Sequence, residues 1–187
     1  MSDSTRDKII ETVMRLYSQY SYEEISTKQI IKEVGNSKGS LYWHFAKKED
    51  IFNEVFEHCY KKTLEYARMG IDDDASVIYS LKRRLKNLTA LNKIDPYCIP
   101  VFGKHIPVIT KQKDSSLYGE FRNDIVKLVK KGLRSKEMAD FPESFLVNTI
   151  FRMADEFLKY LSEHPEYYKN EALIDRMISN LYKSIQP

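Results

Sequence analysis

The sequence predicts an all-α protein with an N-terminal three-helix domain that contains a helix-turn-helix, followed by a C-terminal helical bundle. Apolar residues recur at three- and four-residue spacing through most of the 187 residues. Near the N-terminus, a glycine separates two short amphipathic segments, which is the pattern of two helices joined by a tight turn. A hydrophobic content of 42% is sufficient for a globular core.

The first predicted helix runs from about Arg6 to Tyr20, after a hydroxyl residue, Ser4 or Thr5, that can cap it. Its apolar face is formed by Ile9, Val13, Leu16 and Tyr20. We expect this face to pack against the two short helices that follow.

Two short helices follow, and a glycine separates them. Ser26 opens a capping box for a helix from Thr27 to Val34. Gly35 can adopt the left-handed conformation that ends a helix, and Ser37 can cap the next helix, from Lys38 to about Phe45. This succession predicts a helix-turn-helix, whose second helix is able to enter a DNA major groove.

A long helix is predicted from about Lys48 to Met69, and it extends beyond the small N-terminal domain. Gly70 and the acidic residues after it are expected to end this helix. We place the domain boundary inside it, near Glu49. The chain would then divide into a helix-turn-helix domain at residues 1–48 and a second helical domain at residues 49–187.

The rest of the chain is predicted to be helical with one irregular segment. Further helices are expected at about Ala75–Leu91, Ser116–Leu133, Pro142–Glu163 and Asn170–Ile185. The segment Asp95–Thr110 contains three prolines and a glycine, so only short or kinked helix is expected there. The helix from Pro142 to Glu163 has more apolar positions than one neighbour can cover, which implies a second partner.

The second helix of the helix-turn-helix carries an unusual outward face. Leu41 and Phe45 are four residues apart and can point inward together. The remaining positions offer a cation, a hydroxyl, two aromatic rings with polar tips and an imidazole, and they are Lys38, Gly39, Ser40, Tyr42, Trp43 and His44. The plainer alternative is that this aromatic segment is core of some other helical protein.

Lysines surround this face. Lys28, Lys32, Lys38, Lys47 and Lys48 are opposed, within the stretch from Lys28 to Lys48, only by Glu33. A local positive surface of this kind suits phosphates. The local charge carries this inference, because the net charge of +3 and the pI of 8.6 are too mild to establish nucleic-acid binding.

The segment SKGSLYWHF, from Ser37 to Phe45, resembles the recognition segment of the tetracycline-repressor (TetR) family of transcriptional regulators. The resemblance covers roughly Ile9 to Phe56, and the rest of the chain matches in length and helical character. Two positions depart from the family pattern. Asn36 replaces a residue that is usually apolar, and Lys47 stands where Ser or Thr usually caps the following helix.

The resemblance implies roles for individual residues. It implies phosphate contacts at Thr27, Tyr42, His44 and Lys48, and positions on or against base edges for Lys38, Gly39, Ser40 and Trp43. Lys28 and Ser37 complete the predicted DNA-binding set. The partner implied is a double-stranded DNA operator.

The resemblance also implies a small-molecule site among the C-terminal helices, near the end of the long helix. From the residues alone, the apolar stripes there are more simply plain core. The predicted lining is Leu64, Ile78, Leu81, Phe102, Phe121, Ile125 and Phe151. The proline-containing segment Pro96–Pro107 is expected to form one wall, because irregular structure leaves gaps that straight helices close.

A homodimer is expected, because two copies can place two recognition helices about 34 Å apart, or a multiple of this, along a palindromic operator. The resemblance suggests that the last two helices of each copy form the interface, and its predicted residues are Leu146, Ile150, Met153, Phe157, Ile174, Met177, Ile178 and Leu181. Together with the resemblance, the sequence thus predicts a repressor that a small-molecule inducer releases from DNA, although an activator would have the same sequence features. The alternatives are a helical protein-interaction module, or a regulator controlled by a protein partner without an inducer.

Other classes of protein are disfavoured by the sequence. The usual catalytic, nucleotide-binding and zinc-binding motifs are missing, so we expect no enzymatic activity, no cofactor and no metal. Cys59 and Cys98 lack the spacing of a disulfide framework, which is typical of free thiols in a reducing compartment. Without a signal peptide or an apolar run of about eighteen residues, a soluble cytoplasmic protein is expected.

Overall fold

The computed structural model describes residues 3–72, 74–102 and 116–187, and within these ranges it contains helices and no strand. The all-α prediction is therefore confirmed. The helices are α1 (Asp3–Gln19), α2 (Thr27–Val34), α3 (Lys38–His44), α4 (Lys48–Arg68), α5 (Val77–Ile94), α6 (Ser116–Arg134), α7 (Glu143–Glu163) and α8 (Glu171–Leu181). Short 3-10 helices at Pro165–Lys169 and Tyr182–Ile185 flank α8, and residues 98–102 are also helical.

The chain forms two compact units. The first comprises Met1–Lys62 and Tyr97–Gln112, and the second comprises Thr63–Pro96 and Lys113–Pro187. The division falls within α4, between Lys62 and Thr63. The domain boundary near Glu49 stays a prediction.

The first unit is built around the apolar faces of α1 and α4. Ile9, Val13 and Leu16 are buried as predicted, but Tyr20 is 45% exposed. The expected inward position of Tyr20 was wrong; this residue directly follows Gln19, the last residue of α1, and its N–H still donates to the Leu16 carbonyl at 2.8 Å. Tyr17 packs inward instead, with its ring edge-to-face on Phe52 at a centroid distance of 4.9 Å.

In the second unit, α5 is the central helix and packs against α6, α7 and α8. Its predicted apolar stripe, Ile78, Leu81, Leu85 and Leu88, is buried. The same helix also buries polar side chains that the periodicity did not indicate. Asn92 donates to Ser162 Oγ at 2.9 Å and to the Tyr168 hydroxyl at 2.6 Å, and Asn87 donates to the Met69 carbonyl at 2.7 Å.

The ends of the helices in the second unit follow local capping. Ser76 Oγ accepts from the Tyr79 N–H and starts α5 two residues later than expected. Asn170 Oδ1 caps α8 by accepting from the Leu173 N–H at 3.0 Å. The last predicted helix was expected to continue to Ile185, but its final turn is a 3-10 helix, which is common at helix ends.

Part of the proline-containing segment falls outside the described residues. Residues 98–102 form the short helix that the prolines allow, and the part of the predicted wall that begins at Gly103 is not among the described residues. In the parts of the chain that are described, every helix is too short or too polar to cross a lipid bilayer.

Candidate nucleic-acid interface

Helix α2 begins with the Ser26 half of the predicted capping box. Ser26 Oγ accepts a hydrogen bond from the Gln29 N–H at 3.1 Å, which satisfies one of the free donors of the first turn. Ile30 and Val34 are buried against the core. The polar side of α2 therefore faces outward, with Lys28 and Lys32 exposed.

The turn between α2 and α3 depends on Gly35. This residue has φ +74°, and its N–H and that of Asn36 both donate to the Ile31 carbonyl, at 3.1 and 3.3 Å. A Cβ at Gly35 would meet no atom within 4 Å, so the requirement for glycine is conformational rather than steric. The turn is formed although Asn36 departs from the family pattern.

Helix α3 is short and closed at both ends. Ser37 Oγ accepts from the Ser40 N–H at 3.1 Å, and the Phe45 N–H donates to the Leu41 carbonyl at 3.0 Å. Leu41 and Phe45 are 2% and 4% exposed and hold the helix on the core, as predicted. The opposite side of α3 therefore faces outward.

That surface is aromatic and basic. Trp43 is 74% exposed and Tyr42 is 41% exposed, which is unusual for large aromatic side chains unless a partner covers them. The Trp43 ring stands edge-to-face on His44 at 4.6 Å, and Lys38 Nζ lies 5.8 Å from the centroid of the Tyr42 ring. A Cβ at Gly39 would meet only Ser37 Oγ, at 3.8 Å, so the α3 backbone is open to close approach there.

Among the residues that the structure describes, the lysines around α3 form no ion pair. Glu33, the acidic residue within this stretch, forms an ion pair with Arg15 of α1. Its carboxylate is thereby engaged away from Lys28 and Lys38. The lysines of the helix-turn-helix consequently form an exposed cationic surface suited to phosphates.

Lys48 is the exception among these lysines, because Tyr22 holds it. Its ammonium donates to the Tyr22 carbonyl and lies 3.8 Å from the centroid of the Tyr22 ring. Burial lowers the pKa of Lys48, and this effect outweighs the nearby carboxylates of Glu23 and Glu49, which raise it. If Lys48 contacts a phosphate as predicted, its ammonium is already oriented by Tyr22 before DNA binds.

The start of α4 compensates for its missing cap residue. The Lys47 N–H donates to Asp50 Oδ2 at 3.1 Å, which is the half of a capping box that a residue three positions into the helix supplies. Tyr22 and Glu49 are hydrogen-bonded, and burial together with this bond raises the pKa of Tyr22 to about 12. These contacts hold Tyr22 against the start of α4. Sequence reasoning did not identify Tyr22 or Arg15 as part of this site, because neither residue belongs to a recognisable motif.

The residues predicted to line a ligand pocket lie mainly in the core. Leu64, Ile78, Leu81, Phe121 and Ile125 are buried, and Phe151 is partly exposed with its ring 5.6 Å from that of Phe121. Phe102 belongs to the first unit, where its ring lies 5.5 Å from that of Tyr60. The pocket stays a prediction.

The residues predicted for the dimer interface divide into two groups. Five are buried within the chain itself, namely Leu146, Ile150, Phe157, Ile174 and Ile178. Three retain exposed surface that a second copy would cover, namely Met153, Met177 and Leu181. The interface also stays a prediction, with these three as the residues able to contact a partner directly.

Comparison with known proteins assigns the helix-turn-helix to a family. Residues 9–55 match the model of the bacterial regulatory proteins of the tetR family. Over 72 residues the chain is 32% identical to the biofilm operon icaADBC HTH-type negative transcriptional regulator IcaR of Staphylococcus epidermidis. This match covers 38% of the chain and 39% of that relative, so the chain spans well under half of the relative's length.

The fold is shared over nearly the whole chain. A TetR family transcription regulator from Marinobacter aquaeolei VT8 superposes with a TM-score of 0.77 at 15% identity, covering 98% of this chain and 96% of that one. A gamma-butyrolactone receptor, described as an ArpA-like protein, gives a TM-score of 0.72 at 16% identity, covering 98% and 100%. At such identities the likeness establishes the fold alone.

Proposed function

The chain belongs to the TetR family of bacterial regulatory proteins, and we propose that it is a homodimeric transcriptional repressor released from a palindromic operator by a small molecule. The family consists of regulators rather than enzymes. This function implies a cytoplasmic location, because a transcriptional regulator must reach the bacterial DNA.

The exposed Trp43 on a rigidly capped α3 carries the proposal. A 74% exposed tryptophan beside an exposed tyrosine, on a surface ringed by lysines, gains by meeting a partner that offers both phosphates and base edges. Tyr42 and Lys48 are the proposed phosphate contacts, with Lys28 adding positive charge, and Lys38, Ser40 and Trp43 are the proposed contacts to base edges. Helix α3 has only seven residues, so one copy covers few base pairs and a dimer is favoured.

Dimerisation through α7 and α8 is supported by the apolar surface that remains on them. Met153, Met177 and Leu181 are partly exposed, and Tyr160 of α7 is 38% exposed. Such residues gain free energy when a second copy covers them. A two-fold axis would pair like helices and form a four-helix interface.

Release by an inducer requires two conformations that differ in how well they fit DNA. A ligand that binds better to the conformation with the recognition helices wrongly spaced shifts the population away from the operator. The aromatic and aliphatic residues around Phe121 and Phe151 are the proposed contact region. One protein of the same fold is named as the receptor of a small molecule, gamma-butyrolactone, and this favours a ligand without identifying it.

A gel-shift titration with the DNA upstream of the protein's own gene tests the proposal. The wild-type protein should bind with an affinity that falls steeply with salt, and it should prefer this DNA to a shuffled duplex. A protein in which the helix-turn-helix is only structural would show neither property. A bound complex of one copy per operator would remove the dimer from the proposal.

A further inference from the structure

A basic surface on α6 has no role in the function proposed above. Lys127, Lys130, Lys131, Arg134 and Ser135 line a shallow depression of about 650 Å³, which we call the α6 basic patch. Residues 125–136 contain five lysine and arginine residues and no aspartate or glutamate. This concentration lies in the second unit, so it is separate in sequence and in unit from the helix-turn-helix.

Neighbouring groups neutralise only part of this charge. Lys130 Nζ lies 3.9 Å from Glu143 Oε1, and Lys131 Nζ donates to the Ala75 carbonyl at 3.0 Å. Across the described parts of the chain, Lys127 and Arg134 form no ion pair. The acidic residues on either side of this stretch are engaged by other groups: Asp124 forms an ion pair with Arg68, and Glu137 accepts from the Val77 N–H and the Ser135 hydroxyl.

Helix stability does not account for the whole patch. Cations in the last turn complement the negative end of the helix dipole, which explains Lys131 and Arg134. Lys127 and Lys130 lie before that turn. Moreover, Lys127 with Lys131 and Lys130 with Arg134 are like charges four residues apart, an arrangement that destabilises a helix.

We propose that the α6 basic patch binds the phosphate backbone of double-stranded DNA, without reading its sequence, as a contact additional to α3. From Lys127 to Arg134 the helix rises roughly 10 Å, at about 1.5 Å per residue. The same length of duplex carries about six phosphate charges. The choice of DNA as the binding partner rests on the proposed function. The charge and geometry of the patch are independent of that proposal.

Other occupants fit the patch less well. A membrane-surface helix needs an outward apolar face, but the apolar face of α6, formed by Phe121, Ile125 and Val129, is buried. Single-stranded nucleic acid is bound by stacking on aromatic rings, and residues 125–136 contain no aromatic residue. Protein interfaces are typically depleted in lysine, which supplies three of the four cations here.

The test measures binding of the full chain to a random-sequence duplex at several salt concentrations. The patch variant carries Lys127→Gln, Lys130→Gln and Arg134→Gln. A matched control carries Lys93→Gln, Lys169→Gln and Arg176→Gln, which removes the same charge from exposed positions of the same unit. Circular dichroism melting of both variants shows whether each remains folded.

The patch variant should lower the slope of log K against log salt by about two to three units per bound copy, and weaken binding more than tenfold at about 0.1 M salt. The control should leave the slope unchanged. If the patch variant and the control have the same slope of log K against log salt, the α6 basic patch does not bind the DNA backbone. Loss of binding to phosphatidylserine vesicles with an unchanged DNA slope would also overturn it, because the occupant would then be a lipid surface.

A second readout separates this inference from the repressor proposal. The patch variant should keep the wild-type preference for a selected operator over random DNA, because the patch makes no base contact. If the slope stays unchanged and the preference persists, the patch fails and the repressor proposal stands. If the wild-type protein binds no duplex at all, both fail.

Discussion

The Lys48 ammonium lies 3.8 Å above the centroid of the Tyr22 ring and donates a hydrogen bond to the Tyr22 carbonyl oxygen. This contact joins the loop before α2 to the first turn of α4. It means that a lysine implied to bind phosphate is also part of the structure of the domain. Changes at Lys48 therefore need a control that separates its charge from its packing.

We expect Lys48→Met to weaken binding to every duplex and to lower the salt slope by about one unit for each copy that contacts DNA. Methionine keeps an unbranched apolar side chain against the Tyr22 ring but removes the charge. Lys8→Met removes an exposed charge from α1 and should leave the slope unchanged. Salt titrations of both variants check this. An unaltered slope for Lys48→Met would exclude Lys48 as a phosphate contact.

The two glycines of the helix-turn-helix should respond to alanine in opposite ways. Gly35→Ala forces a Cβ into the left-handed region at φ +74°, so we expect a loss of about 1–2 kcal/mol of unfolding free energy. Gly39→Ala meets only Ser37 Oγ at 3.8 Å, so stability should be unchanged or slightly raised. DNA affinity should nevertheless fall for Gly39→Ala. Urea unfolding and duplex titration measure both, and full affinity in Gly39→Ala would count against close backbone approach.

Trp43 and Leu41 provide a contrast between surface and core on the same helix. Trp43→Ala should alter the preferred operator sequence while changing the unfolding free energy little, because the side chain is 74% exposed. Leu41→Ala, at 2% exposure, should cost about 2–5 kcal/mol of stability. Selection from a random DNA pool and thermal melting compare them. A uniform loss of affinity across sequences for Trp43→Ala would argue against base readout.

The dimer interface can be tested at α8. Met177→Asp places a charge on partly exposed apolar surface and should convert the dimer to a monomer with much weaker operator binding. Ala172→Asp adds the same charge at an exposed position on another side of the helix and should leave the dimer intact. Sedimentation velocity distinguishes the two species. A dimer that survives Met177→Asp would place the interface elsewhere.

The sequence predicted the features that local chemistry decides. Caps at Ser26 and Ser37, the left-handed Gly35 and the inward pair Leu41 and Phe45 all occur as expected, because each depends on neighbours within four residues. The inward and outward sides of α3 follow from these positions alone.

Features that depend on distant contacts were not predictable in the same way. The pairing of Glu33 with Arg15 joins residues eighteen positions apart, and the bond from Lys48 to the Tyr22 carbonyl spans twenty-six. Periodicity also does not reveal which apolar residues a second copy would cover. Leu146 and Met153 lie on the same predicted face, yet Leu146 is fully buried within the chain and Met153 is not.

Chemical footprinting of guanine N7 atoms on a selected operator tests the central claim most directly, because these atoms lie in the major groove. Two copies of α3 should protect two short patches whose centres are about 34 Å apart, or a multiple of this. Trp43→Ala should change which bases are protected or preferred. Protection confined to one patch, or absent from the major groove, would contradict a dimer that reads DNA through α3.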